Sequence, residues 1–259
     1  MDAIVLAGGK AGPEDPLYPY IQDKSKALVE IAGKPMAQWV LDALSGASSI
    51  DHVLVVGLDQ DCGLTCAKPL HFLSDQGHML DNIKAGLHHN SERNPSASRV
   101  LIASCDIPAI TPEIVDWRVQ RSLEYESDID YVVVDRKTME ARFPGANRSY
   151  IKLKDYELCG GDVNVIRISL IEKEKLWTRL IAARKNALKQ AALLGIDLLL
   201  LLLMGRLSLK DAERRVSERI GVKGRACLSP YAEVAMDVDK PHQLELMRQD
   251  LANRGTPVT

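Results

Sequence analysis

The N-terminus of the chain carries the feature that most restricts its fold, an apolar run that stops at two glycines. Residues 3–7 read Ala-Ile-Val-Leu-Ala, and Gly8, Gly9 and Lys10 follow directly. Such a run is typical of a buried β-strand, and glycines at its end let the backbone approach a ligand closely. Converging backbone N–H groups bind anions, so a phosphate is one candidate ligand. A tight strand exit without a ligand explains the same pattern, and this segment alone does not separate the two.

Strand and helix patterns then alternate along the first half of the chain. Further buried strands are predicted at residues 52–57, 70–73 and 99–106, and apolar residues recur at helical spacing within residues 36–44, 80–87 and 114–119. This alternation predicts an α/β fold with a mixed, mostly parallel sheet flanked by helices. Right-handed crossovers bring the C-terminal ends of parallel strands to one edge, so Gly8, Gly9 and Asp106 are expected to lie together.

The pattern changes after residue 128. Strands are predicted near residues 131–134, 150–154 and 158–166 without helices between them, which favours an antiparallel or mixed part of the sheet. A helical insertion is predicted at about residues 169–222, and an amphipathic helix closes the chain. We also expect a short extended segment at residues 27–31. The sequence shows no repeat or linker, so residues 1–259 are expected to form one domain.

Composition excludes some classes of protein. Lys and Arg total 33 against 35 Asp and Glu, a formal net charge of -2, so no basic surface indicates a nucleic-acid partner. Five cysteines with no signal-peptide pattern favour the reducing cytoplasm. The apolar run at residues 193–204 contains Gly195 and Asp197 and is too short to span a membrane. It could pack within a helical hairpin, or cover a partner, a lipid-like acceptor or a second subunit in a homo-oligomer.

Three acidic residues are candidate metal ligands. Asp106 ends an apolar strand at the ligand-binding edge, and Asp237 and Asp239 alternate in an extended segment that points both side chains the same way. Mg²⁺ takes oxygen ligands, commonly one or two carboxylates plus substrate phosphates. Helix capping is the competing interpretation for Asp106 and Asp239.

Other polar residues are candidate ligand contacts. Lys24 and Lys26 follow the glycine loop and suit phosphate binding. Asp75, Gly77 and Asn82 could approach a base or ribose, since glycine permits close contact and asparagine both donates and accepts. Residues 160–164, Gly-Gly-Asp-Val-Asn, could border an acceptor substrate, and a β-bulge explains these glycines as well.

Four segments in order resemble the nucleotidyltransferase superfamily with the GT-A-like fold. The chain is most similar to molybdenum-cofactor guanylyltransferase-like proteins and sugar-phosphate nucleotidyltransferases, over roughly residues 1–166 and 230–252. The segments that carry the resemblance are residues 6–9, residues 26–28 with 33–36, residues 105–108 and residues 236–241.

The resemblance implies a Rossmann-like nucleotide-diphospho-sugar transferase fold. It implies an enzyme that uses Mg²⁺ to transfer NMP from an NTP to a phosphorylated small-molecule acceptor, with release of pyrophosphate. Carried over by motif position, Lys26 and Asp106 would be catalytic. The metal ligands would be Asp106 with Asp239 or Asp237, and the nucleotide contacts would be Leu6, Ala7, Gly8, Gly9, Lys10, Lys26, Asp75, Gly77 and Asn82.

The chain departs from the family pattern at one place. Family members carry an Arg shortly after the two glycines, whereas the first Arg here is Arg93 and residues 10–23 are acidic. Lys10 is positioned as a partial substitute. Two alternatives therefore stay open: a glycosyltransferase of the same fold that binds a nucleotide-sugar, and a non-catalytic nucleotide-binding or scaffolding protein.

Overall fold

A computed structural model describes residues 1–9, 12–21, 25–183 and 195–254. Lys10 and Lys24, two predicted phosphate contacts, lie outside the described residues. So do residues 184–194, in the middle of the predicted helical insertion.

The described residues contain a nine-stranded sheet and a separate two-stranded one. Strands β2 and β3 form the small sheet, and all the others belong to the large one. The strands are Asp2–Leu6 (β1), Glu30–Ile31 (β2), Lys34–Pro35 (β3), Val53–Val56 (β4), Leu70–Leu73 (β5), Arg99–Ser104 (β6), Ile129–Asp135 (β7), Ile151–Lys152 (β8), Glu157–Gly160 (β9), Val163–Arg167 (β10) and Gly224–Ser229 (β11).

The large sheet is mixed and mostly parallel, as predicted. Its order is β5-β4-β1-β6-β10-β7-β9-β8, and β11 pairs with β7. Strands β5, β4, β1 and β6 are parallel, and β10 runs antiparallel between β6 and β7. Because β7 and β11 are parallel to each other and opposed to β10, they share the direction of β1. The C-terminal ends of β1 and β6 therefore meet at one edge.

Helices cover both faces of this sheet. Helices α2, α4, α5 and α9 pack on one face, around Val5 and Val55, and α3 and α6 pack on the other, around Ile4. Helices α7 and α8 cover the β7 end of this second face, where Leu198 packs near Val133. The helices are Tyr18–Ile21 (α1), Met36–Gly46 (α2), Met79–Arg93 (α3), Pro112–Leu123 (α4), Arg136–Arg142 (α5), Glu174–Ala183 (α6), Ile196–Leu203 (α7), Leu209–Ile220 (α8) and Pro241–Arg254 (α9).

Two sequence-based expectations of local structure were wrong, and one strand was missed. The segment expected to be extended at residues 27–31 begins as a 3-10 helix, Lys26–Leu28, because the Ser25 side chain caps it by accepting a bond from the Ala27 N–H. Helix α5 interrupts the strands expected after residue 128, and the Asp135 side chain caps its first turn. Strand β11 directly follows the predicted insertion and joins the large sheet beside β7.

No helix among the described residues has the length and apolar character needed to cross a bilayer. Helix α7, Ile196–Leu203, is apolar and eight residues long.

Candidate active site

The ends of β1 and β6 bring the glycines and the first predicted acid together, as expected. The N–H of Cys105 donates to the carbonyl of Leu6, at 3.1 Å, and Asp106 follows immediately. The N–H of Val238 donates to the carbonyl of Asp106, at 2.9 Å, which places the late acidic segment beside the same edge. Segments far apart in the sequence are thus joined by main-chain hydrogen bonds.

Lys26 lies at the centre of this edge. Its Nζ atom is 2.7 Å from Asp106 Oδ2 and 2.5 Å from Asp239 Oδ1. The 3-10 helix that carries Lys26 is fixed to β1, because the Ser25 hydroxyl donates to the carbonyl of Ala7 at 3.4 Å. The structure therefore places the predicted lysine between two of the three predicted acids.

The electrostatic balance at Lys26 favours its charged form. Burial opposes the charge and would lower the pKa of Lys26, but the charges and hydrogen bonds of Asp106 and Asp239 outweigh it and raise this pKa. The side chain of Lys26 is mostly buried, whereas Asp239 is about half exposed. Lys26 therefore remains a cation throughout the physiological pH range.

A third carboxylate, Asp162, joins Asp106 and Asp239. Burial, and then the negative charge of Asp106, raises the pKa of Asp162 to about 7. The carbonyl of Asp162 accepts a bond from the Ser104 N–H at 3.0 Å, and the Ser104 hydroxyl donates to Asp106 Oδ1 at 2.5 Å. The site thus holds more negative charge than Lys26 neutralises, and a further cation would be stabilised there.

Sequence reasoning had placed Asp162 only at the border of an acceptor site. Its approach to Asp106 depends on the break between β9 and β10 at residues 161–162. There the main-chain N–H groups of Gly161 and Asp162 donate hydrogen bonds to carbonyls of neighbouring segments. A Cβ atom on Gly161 would lie 2.7 Å from Val132 Cγ1, so glycine is needed there. The pair Gly160-Gly161 before an acid is the sequence signal for this break.

The glycine loop contacts a second predicted group, on the segment that opens α3. Asp75 accepts bonds from the Gly9 N–H at 3.2 Å, the Gly77 N–H at 3.0 Å and Asn82 Nδ2 at 2.9 Å. The bond from Asn82 is the main cause that lowers the pKa of Asp75. A Cβ atom on Gly8 would clash with the side chains of Asn82 and Asp75, so the backbone comes as close here as the two glycines indicated.

Asp237 contacts a different residue from Lys26, the partner of Asp106. Its carboxylate forms an ion pair with Arg148, and both side chains are largely buried. Asp239, two residues later, pairs with Lys26 instead. Of the two acids in this segment, Asp239 is therefore the one that the structure brings to the candidate site.

These residues surround a cavity of about 580 Å³. Its polar end is lined by Leu6, Ala7, Gly8, Gly9, Asp15, Lys26, Asn82, Ser104, Asp106, Asp162 and Asn164. Its other end is apolar and is lined by Met79, Leu80, Ile83, Ile102, Ile129, Ile166, Leu170, Leu176 and Trp177. Such a cavity can hold a charged group and an apolar or aromatic group at once.

The polar end of the cavity fits a hard cation. Asp106 and Asp239 already share the Lys26 ammonium, so their spacing accepts a positive charge, and both supply the oxygen ligands that Mg²⁺ prefers. Within the described ranges, no group of three or more His, Cys, Asp or Glu side chains is arranged to hold a metal ion alone. Magnesium sites that substrate phosphates complete need only one or two carboxylates.

Comparison with known proteins identifies the family of this chain. The model of the MobA-like NTP transferase domain matches residues 3–195. A search among curated proteins finds no match. The matched residues include the glycine loop, Lys26, Asp106 and Asp162, and they end before Asp239.

Solved structures are similar over nearly their whole length. A hypothetical transferase from Thermus thermophilus is 38% identical, with a TM-score of 0.82 over 94% of this chain and 98% of that one. A CMP:2-keto-3-deoxy-manno-octonic acid synthetase in complex with CTP is 17% identical, with a TM-score of 0.59 over 98% and 99%. A 4-diphosphocytidyl-2C-methyl-D-erythritol synthase from Anaerococcus prevotii is 12% identical, with a TM-score of 0.60 over 96% and 97%. The last two likenesses show the fold alone.

Proposed function

This chain belongs to the MobA-like NTP transferase family, and we propose that it transfers NMP from an NTP to a phosphorylated small-molecule acceptor with release of pyrophosphate. It is a nucleotidyltransferase. The observation that carries the finer proposal is the position of Lys26, which lies between Asp106 and Asp239 at the edge where the glycine loop ends.

Lys26 supplies the positive charge that phosphoryl transfer requires. An acceptor phosphate oxygen attacks the α-phosphorus of the NTP and forms a new P–O bond, and the bond from that phosphorus to the α,β-bridging oxygen breaks. Pyrophosphate leaves with the electron pair. Charge accumulates on the oxygens around the α-phosphorus and on the leaving group, and a fixed ammonium stabilises it without a covalent step. Lys26, which stays protonated, is suited to this task.

Asp106 and Asp239 would hold Mg²⁺ in this proposal. The ion would neutralise phosphate charge and orient the triphosphate when bound. Asp162 lies within electrostatic range of both carboxylates, and its raised pKa reflects negative charge in excess. These residues would thus give the cation a pocket of net negative charge, and Lys26 would contact the substrate phosphates.

The glycine loop and the start of α3 would position the nucleotide. The space beside Gly9 is open and would admit a phosphate against the backbone, whereas Gly8 lets the side chains of Asn82 and Asp75 lie against the loop. Asp75, Gly77 and Asn82 form one hydrogen-bonded group beside this loop, and we assign it to the base or the ribose. The apolar end of the cavity is left for the acceptor.

A binding screen tests the proposal. Calorimetric titration of four NTPs and of UDP- and GDP-sugars, with and without Mg²⁺, should find an NTP that binds at least about tenfold more tightly with the ion. Asp106→Asn should abolish that gain because it removes one ligand charge. The matched control is Asp61→Asn, an exposed acid on the 3-10 helix Gln60–Cys62, which should bind as the wild type does.

Two outcomes would contradict the proposal. Binding of nucleotide-sugars but of no NTP would make the chain a nucleotide-sugar-dependent transferase instead. Binding of an NTP that responds equally to Mg²⁺ in wild type and Asp106→Asn would remove Asp106 from the metal site.

A further inference from the structure

A second cavity, of about 660 Å³, lies next to the candidate active site. It separates the β7 end of the sheet from helices α7 and α8, and its walls are almost entirely apolar. Val133, Leu158, Leu198, Leu202, Ala212 and Val216 are among the residues that line it. This volume lies within the usual range of small-molecule sites.

Helix α8 forms one wall of this cavity. The helix is amphipathic, yet none of its residues is fully buried, because its apolar side lines the cavity. Polar contacts fix the helix instead: Glu213 accepts from the Ala226 N–H at 2.6 Å, and the Ser217 hydroxyl accepts from the Gly224 N–H at 2.9 Å. These contacts tie α8 to β11 while the apolar side chains remain available.

The two cavities are adjacent on one face of the sheet. Ile129 and Tyr131 line both of them. Ile102 pairs with Asn164 across β6 and β10, and the same antiparallel register places Tyr131 beside Asn164 on β7. With strands about 4.8 Å apart, Tyr131 lies roughly 10 Å from Ile102. The path from the active site to the second cavity is thus short.

The character of the surface changes along this path. Lys26 and Asp106 lie at its start, whereas Ile129, Ile166 and Trp177 lie further along, before the second cavity opens. The charged start of this path suits a phosphate group. Hydroxyl-rich acceptors such as sugars need polar partners that the apolar walls do not supply.

We infer that the acceptor is an amphiphile, a phosphate monoester whose alkyl or polyprenyl chain lies along Ile129 and Tyr131 into the second cavity. This inference rests on the proposed function and specifies its substrate class. The acceptor phosphate attacks the α-phosphorus of the NTP as described above, so the product is a nucleoside diphosphate ester of the lipid alcohol, and pyrophosphate is released.

Chain-length dependence of binding tests this inference. Decyl phosphate and ethyl phosphate, each below any aggregation threshold, are titrated calorimetrically into the full chain, and one NTP is titrated separately. Each buried methylene adds to affinity, so decyl phosphate should bind at least about 100-fold more tightly than ethyl phosphate.

Two tryptophan variants of α8 test where the alkyl chain of the acceptor binds. Ala212→Trp places an indole in the second cavity and should remove most of the preference for decyl phosphate, while NTP affinity stays unchanged. Lys210→Trp adds the same group at an exposed position of the same helix and should keep the preference. Equal melting temperatures of the two variants would show that the fold is retained.

The outcomes separate this inference from the proposed function. If an NTP binds and decyl phosphate binds no more tightly than ethyl phosphate, the amphiphilic acceptor is wrong and the nucleotidyl transfer stands. A preference for decyl phosphate that Ala212→Trp leaves intact also overturns the inference, because the alkyl chain then binds outside the second cavity. If no NTP binds while the preference and its loss in Ala212→Trp are seen, the proposed function fails and the apolar site remains.

Discussion

At the scale of single residues, the candidate site depends on charged side chains that lie close to one another. Lys26 bridges Asp106 and Asp239, and Asp162 adds a carboxylate that burial and Asp106 make hard to ionise. Lys26 stabilises the charges of Asp106 and Asp239, whereas these carboxylates oppose the ionisation of Asp162. Changes at one position should therefore alter the charge state or the position of its neighbours.

Gly8 offers a direct test of the close approach at the glycine loop. In Gly8→Ala, the new methyl group would overlap the side chains of Asn82 and Asp75, which must then move away from the nucleotide site. We expect NTP affinity to fall at least about tenfold, a loss of about 1.4 kcal/mol in binding free energy. Calorimetric titration measures it, with circular dichroism as the check on folding. Unchanged affinity would show that the nucleotide does not use this segment.

Asp162 should make the stability of the protein depend on pH. Its pKa is raised from 3.8 to about 7 in the folded protein, so between these values the unfolded chain has lost a proton that the folded protein keeps. The free energy of unfolding therefore falls as pH rises through this window, and the loss is complete above about pH 7. Asp162→Asn removes this contribution.

The comparison is made by chemical denaturation at several pH values from 4 to 8. Relative to wild type, Asp162→Asn should gain up to about 4 kcal/mol of stability between the two ends of the range, since each pKa unit corresponds to about 1.4 kcal/mol. The exposed control Asp61→Asn should follow the wild type. Parallel curves for Asp162→Asn and wild type would mean that Asp162 ionises normally.

At the scale of elements, strand β10 does most to build the site. It runs antiparallel between β6 and β7, and the break before it directs Asp162 toward Asp106. A buried ion-pair network supports this part of the sheet: Arg118 on α4 donates to the carbonyl of Val163 at 2.9 Å and to Asp130 Oδ1 at 3.1 Å. Arg225 on β11 reaches the same carboxylate, at 3.2 Å. One network thus joins α4, β7, β10 and β11.

Loss of the shared carboxylate should destabilise these elements together. Burial lowers the pKa of Arg118, and Asp130 opposes that effect, so Asp130→Asn leaves a buried cation poorly compensated. We expect a loss of about 3 kcal/mol in the free energy of unfolding. Glu124→Gln, which removes the exposed partner of Arg121, should cost far less than Asp130→Asn. Equal effects of the two variants in urea denaturation would contradict this assignment.

The sequence predicted some elements better than others for physical reasons. Strands β1, β4 and β6 were predictable because each is a β-branched apolar run, buried on both faces and ended by glycine or an acid. Strand β11, Gly-Arg-Ala-Cys-Leu-Ser, lacks such residues and depends on its pairing with β7. The short polar helix α5 shows no apolar stripe. Local composition therefore indicated the parallel half of the sheet and missed parts that tertiary contacts create.

The same distinction holds for the candidate site. Gly8, Lys26 and Asp106 were identifiable because they follow local strand and loop signals in one half of the chain. Asp239 was one of two equivalent candidates until the ion pair of Asp237 with Arg148 separated them. The closeness of Asp162 to Asp106 depends on how an antiparallel strand returns through the sheet, which no local pattern encodes.

At the scale of the whole molecule, the large sheet separates support from chemistry. Helices α2, α4, α5 and α9 pack tightly on one face and form its main apolar core. The other face carries the charged edge, the apolar path and the second cavity under α7 and α8. This arrangement is suited to bringing a nucleotide and an acceptor together from two sides of Lys26.

The fate of labelled phosphate from an NTP distinguishes nucleotidyl transfer from hydrolysis. The full chain is incubated with Mg²⁺, a phosphorylated acceptor and the NTP that binds, labelled in parallel reactions at the α- or the γ-phosphate. We expect the α-label to enter a phosphatase-resistant acceptor product in an amount equal to the pyrophosphate formed, the γ-label to appear in pyrophosphate, and Asp106→Asn to lose both. Recovery of the γ-label as inorganic phosphate, with the α-label retained in the nucleoside diphosphate, would contradict it.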